Sequence, residues 1–142
     1  MTTAAIRRVE VDTDNLSTIN RIKENGIEFS EALSPYDLPV EVVGLIDTRR
    51  QTYEIEFTYI HRSTHLLTSK LSDRVTIFTD KNSGLIHRIE VPNYAKSPAV
   101  RAILSEMANE IGLLAKRQPI GRIRFIYEVI AQVIINASRQ LE

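Results

Sequence analysis

The sequence predicts an α+β fold: an antiparallel β-sheet of about four to five strands in a meander, with helices packed on one face. Two observations predict it. Between Val40 and Val91 apolar and polar residues alternate with a period of two, whereas from Ser97 onward apolar residues recur at three- and four-residue intervals. Strands grouped ahead of helices, rather than interleaved with them, imply α+β and not α/β.

Taken in order, Ala5–Val11 reads as a short edge strand, with Val9 and Val11 flanking Glu10. Asp14 then fits an N-cap, Leu16, Ile19 and Ile22 form one apolar stripe, and Gly26 stands where a C′ glycine belongs, so a short N-terminal helix is expected. Residues 27–39 are irregular, with Pro35 and Pro39 opposing regular structure, and read as a loop crossing to the sheet; a binding loop presenting Tyr36 and Asp37 is the functional alternative.

Four strands follow, over Val40–Asp47, Thr52–Ile60, Arg74–Thr79 and Leu85–Val91. In the second, Tyr53, Ile55, Phe57 and Tyr59 alternate with Thr52, Glu54, Glu56 and Thr58, which implies one covered face and one wet face. Asp47–Gln51 and Asp80–Gly84 read as hairpin connections, the second closed by Gly84 at positive φ. His61–Asp73 fits either an extra strand through Leu66 and Leu67 or a helical turn.

Ser97 and Pro98 supply an N-cap and an N1 proline for a helix whose stripe is Val100, Ile103, Leu104, Met107, Ile111 and Leu114. A break at Lys116–Pro119 leads into the last helix, Pro119–Leu141, so the pair is expected to form an antiparallel αα-hairpin. In that last helix Ile123, Ile126, Tyr127, Ile130, Val133, Ile134, Ala137 and Leu141 share a face, opposite a polar stripe of Arg124, Glu128, Gln132 and Asn136. Phe125, Val129 and Ile135 intrude on the polar side and give the helix more apolar surface than a single core contact uses.

A length of 142 residues suits one domain, divided here into an N-terminal strand, helix and loop (5–38), the sheet (39–92) and the helical hairpin (97–141). Hydrophobic residues at 43% and charged residues at 25% suit a globular chain and oppose disorder. Eighteen basic residues balance eighteen acidic ones, so no charged partner is selected by the overall field, although residues 96–142 carry seven basic against four acidic. With no cysteine, disulfides, thiolate chemistry and cysteine-bound metals are excluded. No signal-like apolar run opens the chain, and the Ile123–Ala137 stretch is short and charged for a membrane span; a soluble, cytoplasmic protein is expected.

Catalytic motifs are not evident: there is no G-x-S-x-G, no phosphate-binding glycine loop and no dinucleotide fingerprint. Catalysis is therefore not favoured, and no catalytic residue, cofactor or metal is assigned. His61 and His65 at i, i+4, with His87, could ligate a metal, but the residues between them lack the glutamate base of a zincin, and ordinary surface histidines are the commoner case. Asp80, Asn82 and Gly84 begin like a calcium loop, yet Leu85 and Val91 stand where its glycine and glutamate are required. Glu54 and Glu56 fit the solvated side of a strand better than a catalytic pair.

Two surfaces remain. Lys116, Arg117, Arg122 and Arg124 gather at the helix–helix turn, where they could contact nucleic-acid phosphates or simply complement helix ends. The apolar excess at Phe125, Val129 and Ile135 fits either a helix sandwiched between the sheet and the preceding helix or an oligomer or partner surface, and the second is the expectation taken. The expected function is thus non-enzymatic protein–protein interaction, assembly or adaptor work, with self-association through the C-terminal helix. A small nucleic-acid-associated regulator is the alternative, and a ligand-binding or enzymatic pocket between sheet and helices stands third.

Overall fold

The computed structural model describes residues 6–16, 21–30, 34–63, 65–92 and 100–140. Eight strands and two helices follow one another: β1 (Ile6–Glu10), β2 (Arg21–Glu24), β3 (Ile27–Ser30), β4 (Glu41–Asp47), β5 (Thr52–Thr58), β6 (Leu66–Ser72), β7 (Val75–Asp80), β8 (Ile86–Pro92), α1 (Val100–Arg117) and α2 (Arg122–Gln140). The α+β class holds, with a larger sheet than expected: six antiparallel strands in the order β1-β4-β5-β8-β7-β6, and a separate β2-β3 ribbon.

The simple meander is corrected. β5 bonds to β8, with Ile55 opposite Ile89, and β6 is carried to the far edge. Burial accounts for the order. Ile89 and Val91 are sealed from solvent and suit an interior strand, whereas Leu66 to Lys70 are exposed throughout and suit an edge. The ambiguous His61–Asp73 stretch resolves accordingly, with β6 and β7 joined across Asp73–Arg74.

The short N-terminal helix is also corrected over its described part. Residues 21–30 form a hairpin in which Glu24 faces Ile27, leaving Asn25 and Gly26 as a two-residue turn, with φ of 53° and 78°. Both positions need positive φ in a type I′ turn, and Asn-Gly is the dipeptide that meets that need most readily. The helical reading used Gly26 as a terminator; with asparagine before it, the same glycine closes a ribbon instead. Residues 17–20 of that expected helix, the Ser97-Pro98 cap and Leu141 lie outside the described residues.

β5, β8 and β7 present one apolar face. Val42, Tyr53, Ile55, Phe57, Ile89 and Val91 join Leu104, Met107 and Ile111 of α1 and Ile126, Ile130, Val133 and Ile134 of α2 in a single buried cluster. Gly44 is needed in this layer because a Cβ there would lie 2.9 Å from the Tyr53 hydroxyl. Tyr53 is itself buried, and removal from water pushes its phenol up to about 12. On the opposite face Glu54 stands against Glu90 and Glu56 against Arg88. Partial burial, with Glu90 and Glu56 nearby, raises the Glu54 carboxyl, and Arg88 works in the other direction.

The decisive packing is around α2. Its polar stripe is only partly open to solvent: Arg124 and Asn136 are each only 6% exposed, and Glu128 and Gln132 are half-buried. Arg124 Nη1 donates to Glu24 Oε2 at 2.9 Å, so its partner is the hairpin and not Glu128 one turn on. Asn136 Nδ2 donates to the Asp12 carbonyl at 2.8 Å and to Asn15 Oδ1 at 2.9 Å. The N-terminal segment is therefore held along the stripe, and Val11 and Leu16 enter the core cluster. None of the described helices is long and apolar enough to cross a membrane.

Candidate functional site

The four proposed phosphate contacts are dispersed by the fold. Arg122 is committed to Asp37 through two hydrogen bonds, Nη2 to Oδ1 at 2.6 Å and Nε to Oδ2 at 3.1 Å. Arg124 is buried beside Glu24. Only Lys116 and Arg117, closing α1, remain exposed and without an ion pair among the described residues. The proposed partner surface is likewise redistributed. Phe125 and Val129 are 0% and 1% exposed, enclosed by the chain's own elements, and only Ile135 keeps partial exposure. A charge at Phe125 thus probes folding and not assembly.

Two other features stand out. The first is the β6 edge. Among the described residues no strand pairs with its outer side, and its two leucines, Leu66 and Leu67, are 41% and 48% exposed. Lys70 and the irregular register between Lys70 and Ser72 guard the C-terminal half, leaving the first half flat and without a charged group. Behind this edge a small apolar hollow of about 60 Å³ opens between sheet and helices, walled by Leu71, Ile77, Ile111, Leu114 and Tyr127. β1, at the opposite edge, carries Arg7, Arg8 and Glu10 and is protected by charge.

The second is a polar cleft of about 210 Å³ where four distant segments converge at one end of the sheet. A 3₁₀ turn at Pro35–Asp37, capped by the Ser34 hydroxyl, brings Tyr36 onto His61, with ring centroids 4.5 Å apart and planes 14° from parallel. The end of β7 adds Asp80, the β7–β8 turn Ser83, the start of β8 His87 and the start of α2 Arg122. Asp80 organises this end. Its Oδ1 accepts from Ser63 Oγ at 2.5 Å and its Oδ2 from the Ser83 amide at 2.7 Å. These hydrogen bonds hold its carboxyl down at about 2, so it is ionised at neutral pH. Gly84, at φ 76°, closes the turn as expected, and the Asp80 carbonyl accepts its amide.

His87 lies beside Tyr59, whose hydroxyl donates to the Ile86 carbonyl at 2.8 Å. Burial lowers the His87 pKa against the pull of Asp80, so the imidazole is neutral at pH 7. His61 and His87 thus share a cleft, but no group of three histidine, aspartate or glutamate side chains suited to a metal occurs among the described residues.

Sequence reading singled out Tyr36, Asp37, His61, His87, Asp80 and Arg122 separately but not Ser63, and it had no means of gathering them. The Asp37–Arg122 pair spans 85 positions, and no local pattern announces such a contact. No family model, curated protein or solved structure matches this chain, so its geometry stands as the only guide to its chemistry.

Proposed function

We propose that this chain is a non-enzymatic interaction domain that assembles with a second copy of itself through the outer edge of β6. The supporting observation is the uncharged first half of that strand, whose outer side pairs with no strand among the described residues, with Leu66 and Leu67 in solvent beside an apolar hollow. An edge of this kind offers free backbone donors and acceptors to another strand.

A second copy fits by symmetry. In a two-fold antiparallel pairing centred on Leu67, that leucine meets Leu67 of the second copy on the helix side of the sheet. Leu66 falls opposite Thr68, and Lys70 lies beyond the stretch that needs to be flat, so no like charges are opposed. The contact is small and lies in the class of reversible dimers.

Sedimentation velocity across the micromolar range tests this reading. Reversible dimerisation is expected of the natural sequence, and a folded monomer of Leu67→Lys, whose circular dichroism is unchanged because residue 67 is exposed. A natural chain that stays monomeric throughout would overturn the proposal. So would a Leu67→Lys dimer of undiminished affinity.

A further inference from the structure

We propose that the polar cleft at the end of β5, β7 and β8 binds a small oxyanion, the phosphate or carboxylate group of a low-molecular-weight solute. The inference follows from what hydrogen-bonding capacity in the cleft is already committed and what is left over. Both carboxylates are already engaged by groups of the chain itself. Asp37 takes two hydrogen bonds from Arg122, and Asp80 takes one from the Ser63 hydroxyl and one from the Ser83 amide. The Ser83 hydroxyl accepts the Leu85 amide at 3.2 Å and serves Asp80 as well.

The unspent capacity is cationic or donor in kind. Arg62 lines the cleft, is exposed, and makes no ion pair or hydrogen bond among the described residues. Arg122 is fixed through Nε and Nη2, and its Nη1 has no partner among the described residues. Asp37 thus acts as an orienting group, holding one guanidinium at the cleft with its remaining nitrogen uncommitted. The imidazoles of His61 and His87 complete the wall, and each retains a ring N–H to donate. Two guanidinium groups with free N–H, beside two imidazoles, match the several oxygens of a phosphate or carboxylate better than a cation, which both guanidinium charges would repel.

Size narrows the class. Pockets for drug-sized ligands run to about 300–1,000 Å³, and this cleft, at about 210 Å³, suits a few heavy atoms around the anionic group. Tyr36, 49% exposed and stacked on His61, forms an apolar lip for the rest of such a solute.

The test is a titration of ¹⁵N-labelled protein with sodium phosphate and, separately, sodium acetate, each against sodium chloride at equal ionic strength. Amide shifts at Ser63, Ser83, His87 and Arg122 are expected to saturate with one or both anions, and the anion that saturates identifies the group the cleft selects. Arg62→Gln removes a cation that holds nothing else in place, and is expected to weaken binding at least about fivefold. Lys116→Gln, at the end of α1, is expected to leave it unchanged. Non-saturating shifts spread along the chain with both anions would overturn the site, as would equal affinity in Arg62→Gln. Neither test draws on the β6 residues, so its outcome is separate from that of the dimer.

Discussion

Removing the Glu24 carboxylate tests whether the N-terminal ribbon is held to α2 by charge. Arg124 has a side chain only 7% exposed, and its one ionic partner among the described residues is Glu24, whose side chain is 43% exposed. Its Nε is buried without a partner, so the guanidinium is already incompletely satisfied. Glu24→Ala leaves that charge in a poorly solvated place. Stranding one member of a fully buried pair costs about 3–5 kcal/mol, and the half-open position of Glu24 admits some water in its place, which brings the expected loss to about 2–3 kcal/mol.

The opposite change is expected to be milder. In Arg124→Leu the carboxylate left behind rehydrates where it stands, and leucine fills an apolar position, for a loss within about 1 kcal/mol. The double variant is expected to match Arg124→Leu and not the sum of the two. Urea unfolding followed by circular dichroism reads all three, and with a slope of about 2 kcal/mol/M the Glu24→Ala midpoint falls by about 1–1.5 M. Hydrogen exchange over residues 21–30 separates undocking of the ribbon from global unfolding. If Arg124→Leu proves more damaging than Glu24→Ala, the asymmetry argued from exposure is wrong, and the ribbon is held by packing.

Other outcomes follow from the same structure. Gly44→Ala brings a methyl group against the buried Tyr53 hydroxyl, and a stability loss of about 1–3 kcal/mol is expected in the same denaturation assay. Asn136→Ala strips three hydrogen bonds that hold residues 12 and 15, and should cost about 1–3 kcal/mol and speed exchange at the Leu16 amide. Asp80 has a folded-state pKa depressed to about 2, below the ordinary value of 3.8, so its stabilisation is complete above about pH 4 and is lost as pH falls toward 2. Asp80→Asn is therefore expected to be less stable at pH 7 and to show a shallower loss of melting temperature between pH 4 and 2.

Sequence patterning was enough for the α+β class, for strands β4, β5, β7 and β8 and for the two C-terminal helices, for a reason that lies in single residues. Tyr53, Ile55 and Phe57 each send alternate side chains to a dry face, and Leu104, Met107 and Ile111 each return to the same helical stripe, so period and environment coincide. Strand order was less legible. Nothing local distinguishes β8 as the neighbour of β5; that choice is made by the burial of Ile89 and Val91 against the helices. The hairpin at 21–30 carried its own signal in Asn25-Gly26, but the apolar spacing of Leu16, Ile19 and Ile22 competed with it. Phe125 and Val129, which read as an apolar surplus of α2, are buried within the chain. Arg124 and Asn136 looked like solvent-facing residues because the groups that satisfy them, Glu24 and Asp12, lie 100 and 124 positions away.

The enclosure of α2 also bears on the order in which the molecule is made. Synthesis delivers the strands first, and the apolar face of Ile55 and Ile89 is complete before the helix that seals it has been translated. The β2–β3 ribbon, made well before α2, has to wait for Arg124, and residues 12 and 15 wait for Asn136. Closing loops of that length is slow compared with forming a hairpin. A chain halted before Arg122 would therefore leave part of the apolar sheet face without its cover, with an open β6 edge. Such a species is prone to aggregate, and α2 acts in effect as the molecule's closing step.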